Sequence, residues 1–216
     1  MKIKLTVPTD LSEIRLSQYQ KYYKIQEDNQ DESFLATKMI EIFCDISHKD
    51  SFRMKLRDVT RVTNILGDMF EQKPQLKKRF VLNGVEYGFI PNLDDMTLGE
   101  YVDLDTYISK WDDMHKAMAV LYRPIETSLG NKYTIEKYTG ENQDTMKDIP
   151  LDIVFGSMLF FYRLGIDLSK VMMSYFQDKK EMPSQQLQTL MQNMDGLDKF
   201  TSSVNTILQE LKISLN

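Results

Sequence analysis

The chain has 216 residues and a formal net charge of −5, with 27 basic against 32 acidic side chains, so no global electrostatic pull toward nucleic acid exists. That length suits one domain, or one domain with an appendage, and suffices to bury a core without disulfides or metal. The lone cysteine, Cys44, excludes an internal disulfide and disfavours secretion, and it reads as a buried spectator thiol.

Residues 2–7 alternate polar and apolar at period two and predict a strand ended by Pro8. No apolar segment of the signal-peptide kind accompanies the two lysines at this end. After Val7-Pro8 comes the phrase Leu11-Ser12-Glu13-Ile14-Arg15-Leu16-Ser17-Gln18-Tyr19. After Ile90-Pro91 comes a second copy, Leu93-Asp94-Asp95-Met96-Thr97-Leu98-Gly99-Glu100-Tyr101. In both, proline closes an extended segment, a polar loop follows, and a helix is expected to begin near the second leucine. Helices are predicted over 12–26, 33–46 and 55–71, the last with Val59, Val62, Leu66 and Met69 on one face. Residues 79–90 predict a hairpin with Asn83-Gly84 as its primed turn.

The second phrase opens one long predicted helix over 98–123, with Tyr101, Leu104, Ile108, Trp111, Met114, Met118 and Leu121 as its stripe and Pro124 as its stop. Trp111, Met114 and Met118 are expected to lie deepest. Residues 127–148 read as the least regular part, with a strand over 132–138. A buried helix over 151–164 follows, then a shorter one over 168–177 after a break at Gly165. The apolar run over 149–166 contains Pro150, Asp152 and Arg163 and falls short of the roughly 20 apolar residues of a membrane span. From Ser184 onward, Leu190, Met194, Leu197, Thr201, Val204, Leu208 and Leu211 recur at alternating spacings of four and three, a short heptad seam. It either packs on its own domain or contacts another subunit. The expected division is therefore a helical core over 1–183 with a small β element, and a C-terminal helix over 184–216. The fold class is α+β, predominantly helical, with long amphipathic helices and a small hairpin or sheet.

Reactive signatures are missing from the sequence: it has no phosphate-binding glycine loop, no paired-cysteine motif and no nucleophile elbow. His48 and His115 stand apart, and no metal or cofactor site is expected. Asp94, Asp95, Glu100, Asp103, Asp105, Asp112 and Asp113 crowd one region, but Asp103 and Asp105 diverge on a helix and Asp94 and Asp95 precede a helix start. Capping and solvation outweigh a hard-cation site, the feature a metal-dependent hydrolase would need. The segment with Arg53, Lys55, Arg57, Lys77, Lys78 and Arg79 is basic, whereas 86–113, with Asp103 and Asp112, is acidic. These are two solvated faces, or complementary flanks that meet head to tail between copies. Direct DNA contact by the basic segment is disfavoured because no aromatic residues interleave as stacking platforms.

The run Phe89-Ile90-Pro91-Asn92-Leu93-Asp94-Asp95-Met96-Thr97-Leu98-Gly99-Glu100-Tyr101-Val102-Asp103-Leu104 resembles a pattern in virion proteins of tailed bacteriophages, notably crAss-like phages of Bacteroidetes. The runs 115–124, 17–22 and 156–162 join the same resemblance, which covers about half the chain in order. The resemblance implies a small, mostly helical, non-enzymatic protein of the portal or tail region. Such a protein is a homo-oligomeric ring subunit among other virion proteins, encapsidated cargo, or a tail-assembly chaperone. It also implies residence in the virion, and in the host cytoplasm during assembly. No catalytic residues accompany it. Contacts are expected from Arg53, Lys55, Arg57, Lys77, Lys78, Arg79, Asp103 and Asp112, and from Leu190, Met194, Leu197, Val204 and Leu208 of the seam.

Overall fold

The computed structural model describes residues 5–141, 143–178 and 202. Its helices are α1 (Leu16–Asp28), α2 (Glu32–Phe43), α3 (His48–Ser51) and α4 (Leu56–Phe70). Then come β1 (Arg79–Leu82), β2 (Val85–Phe89), α5 (Leu98–Ile108), α6 (Met114–Leu121), β3 (Tyr122–Leu129), β4 (Lys132–Ile135) and α7 (Leu151–Asp178). This is a mixed α+β fold, mainly helical, with a four-stranded antiparallel sheet in the order β1-β2-β3-β4.

The two proline phrases fold alike. Each makes a 3-10 turn, at Leu11–Glu13 and at Leu93–Asp95, and each helix starts at the second leucine. Asp10 accepts from the Ser12 N–H at 2.8 Å, and Asn92 accepts from the Asp94 N–H at 3.2 Å, so a short polar side chain starts each turn. Burial separates the copies. Leu11, Ile14 and Leu16 are fully enclosed, whereas Leu93 and Met96 are only partly covered and Leu98 faces outward.

The Asn83-Gly84 turn has positive φ at both residues, 51° and 81°, and sets the register Leu82↔Val85 of a hairpin. No strand includes residues 5–9; Leu5 and Val7 instead lie partly buried on the core. An extended segment laid over a core turns alternate side chains inward, the same period-two signal as a paired strand. Residues 1–4, the rest of that predicted strand, lie outside the described residues, as does the predicted boundary at 183/184.

The single helix predicted over 98–123 is three pieces. α5 ends at Ile108, Lys110 is extended, a 3-10 turn covers Trp111–Asp113, and α6 runs only to Leu121. The break lets Trp111 turn into the core against Tyr19 and Phe155, at ring separations of 4.6 and 6.2 Å. Tyr122 then enters β3 directly, and Pro124 sits inside that strand beside a bulge between Ile125 and Thr127. Residues 127–148 also prove more regular than their sequence suggests: β3 and β4 form a second hairpin around Gly130, which has φ 60°. β4 is shorter than the predicted 132–138. α7 passes through Gly165 unbroken. An internal glycine costs a helix only about 1 kcal/mol relative to alanine, too little to end one whose first turns are buried on every side.

The first nine residues of α7, 151–159, are buried around the whole helix. Tyr19, Phe43, Phe70 and Trp111 pack around α1 and α7, and Phe80, Phe89 and Tyr122 join the sheet to Phe160 and Phe161. Met114 and Met118 are fully enclosed and Trp111 nearly so, as the sequence predicts.

Candidate functional site

The buried polar groups serve the fold. Thr97 and Glu100 cap α5 reciprocally, and Glu100 then reaches Arg123 Nη1 at 2.6 Å. Burial pushes the Glu100 carboxyl up, but hydrogen bonds from Thr97 and the Arg123 guanidinium outweigh it and hold the group below the ordinary carboxylate value. Lys77 Nζ meets Asp152 Oδ2 at 2.5 Å at the buried start of α7. His115 is buried with Gln20 Nε2 3.3 Å from Nδ1 and Asp144 3.6 Å from Nε2. Burial, and then the charge of Lys147, lower its pKa against the pull of Asp144. Cys44 is buried, which pushes its thiol up to about 11.

The acidic region does not converge. Asp103 accepts from the Tyr138 hydroxyl at 2.8 Å, Asp113 pairs with Lys116 at 2.7 Å, and Asp112 is exposed. Among the described residues no three His, Cys, Asp or Glu side chains gather as a metal site would require. No described helix is long and apolar enough to cross a membrane.

The predicted basic contacts divide. Arg53, Lys55 and Arg57 are exposed around α3 and the start of α4, and among the described residues only Arg57 has an ion-pair neighbour, Asp58 at 3.8 Å. Lys77 is committed to Asp152. Arg79 bonds Ser128 and the carbonyls of Gly130 and Lys132, and stacks 4.5 Å from the Tyr133 ring centre. Lys77, whose side chain stays half exposed, ties the approach to β1 to the start of α7, and Arg79 ties β1 to the β3–β4 hairpin. Lys78 keeps an exposed side chain, while its carbonyl accepts from the Phe89 N–H and the Tyr133 hydroxyl. The seam residues Leu190, Met194, Leu197, Val204 and Leu208 lie outside the described residues.

Two exposed apolar groups escaped the sequence reading. Phe52 (79% exposed) and Leu56 (81%) stand among Arg53, Lys55 and Arg57. On α5, Leu98 (79%), Tyr101 (51%) and Val102 (51%) stand beside exposed Asp94, Asp95 and Asp105. Tyr101 belongs to the predicted core stripe, yet the inward positions are Glu100, Leu104 and Ile108, spaced four apart. The charge of Glu100 hid that ridge. Isolated exposed apolar residues are ordinary on a protein surface, whereas large contiguous apolar patches mark interaction sites. Comparison with protein-family models, curated proteins and solved structures finds no match to this chain.

Proposed function

We propose that this chain is a non-enzymatic structural component of a tailed-phage virion, a repeated subunit of the portal or tail region that works through contacts with copies of itself and with other virion proteins. The observation that carries the reading is the outward row Leu98, Tyr101 and Val102 on α5. These residues fall within the stretch that resembles crAss-like phage virion proteins. A repeated backbone device that presents apolar side chains to solvent is suited to contact, whereas the first copy of the same device places its leucines in the core. The buried carboxylates among the described residues, Glu100 and Asp152, are paired with Arg123 and Lys77, which is what a scaffold needs.

Mass spectrometry of purified particles tests the reading. Peptides of this chain at a copy number matching a ring support it. Absence from finished particles, with abundance in infected cells, removes it in favour of an assembly chaperone. One or a few irregular copies per particle favour encapsidated cargo.

A further inference from the structure

The two exposed apolar groups differ in the charge around them. Phe52 and Leu56 sit among basic side chains at the junction of α3 and α4, where Arg53 and Lys55 form no ion pair among the described residues. Leu98, Tyr101 and Val102 sit among acids, and Asp94, Asp95 and Asp105 likewise form none. The two groups belong to different parts of the fold, since α3 and α4 pack on α2 while α5 packs on α6. We propose that the Phe52/Leu56 corner of one copy seats on the α5 face of the next, in a head-to-tail contact between identical chains. This deepens the repeated-subunit reading and rests on it.

The occupant follows from the complementarity. Each patch supplies what the other lacks: two apolar projections flanked by cations on one side, and a row of three apolar side chains flanked by carboxylates on the other. Apolar burial supplies affinity and the flanking charges supply register and partner choice. Like patches repel, so a two-fold contact of α5 with α5 is disfavoured and the interface is heterologous.

Sedimentation of the full-length chain over a range of concentrations, at low and high salt, tests the contact through paired reversals. One variant carries Arg53→Glu, Lys55→Glu and Arg57→Glu; the other carries Asp94→Lys, Asp95→Lys and Asp105→Lys. Circular dichroism confirms that each is folded. The wild type is expected to associate, and added salt to weaken it. Each variant alone should associate at least about tenfold more weakly, and an equimolar mixture should recover assembly, because each junction again joins opposite charges. Leu98→Ser with Tyr101→Ser should weaken association without removing its salt dependence. A wild type that stays monomeric at every concentration overturns the proposal, including the case in which the chain's own residues 184–216 cover α5. So does a mixture that associates no better than its components. Failure here with the chain present at ring stoichiometry in particles rejects this contact alone; absence from particles rejects the function proposed above.

Discussion

Glu100 gives each carboxylate oxygen its own donor: the Thr97 N–H reaches Oε2 and Arg123 Nη1 reaches Oε1, both at 2.6 Å. The pair is nearly buried on both sides, so removing one charge strands the other in a poorly solvated site. Glu100→Gln should cost about 3 kcal/mol, read as a lower urea midpoint with an unchanged slope. The pH dependence has a definite sign. The folded value lies below the ordinary one, so the stabilisation is present above the ordinary carboxylate pKa and disappears as pH falls through the lowered folded value. The variant should therefore lose part of the wild type's decline in stability toward acid. An acid limb unchanged in the variant would assign that decline to other carboxylates. Cys44 gives a second test at this scale. Because burial lifts its thiol to about 11 and covers it, alkylation at neutral pH should be slow in the folded protein. It should accelerate along the same denaturant curve as the loss of helical dichroism. Rapid labelling of the native protein would show that the C-terminal end of α2, which Cys44 caps, opens without global unfolding.

At the scale of elements, two helical glycines make opposite predictions. A Cβ at Gly67 in α4 meets nothing within 4 Å, so Gly67→Ala should stabilise by about 1 kcal/mol. A Cβ at Gly156 in α7 would lie 2.5 Å from the Gln75 carbonyl oxygen, a backbone atom that cannot swing aside. Gly156→Ala should destabilise by about 2 kcal/mol; thermal melts of the two variants should move in opposite directions. The same contrast explains what a sequence discloses. The start of α5 was legible because the proline phrase is a local device, and Asn83-Gly84 announces a hairpin by its two positive φ values. The break between α5 and α6 was not, because Ile108, Trp111 and Met114 keep helical spacing straight through it, and only the tertiary pull on Trp111 divides them. The partners of Lys77 and Arg79 were not legible, because Asp152 and the β3–β4 hairpin lie about 50 or more residues away in sequence. The exposed row on α5 was hidden for the converse reason: leucine and tyrosine at helical spacing look the same whether they face a core or a neighbouring protein.

At the scale of the whole molecule, a heterologous contact does not by itself fix an assembly. If the rotation relating successive copies divides a full turn, the chain of subunits closes and every patch is satisfied; if it does not, growth continues as a helix. The ring proposed above requires closure. The surface as a whole favours a finite assembly, because each added subunit carries a net charge of −5 and repels the rest over distances comparable to the screening length. Closure gains one more junction without adding another charged copy. The wild-type chain should therefore pass, with rising concentration, from monomer to one discrete larger species whose mass then stays constant. Native mass spectrometry at low salt reads that number directly. A mass that rises without limit would mean an open helical arrangement, and would leave a ring in the particle dependent on a neighbouring protein to impose the closing angle.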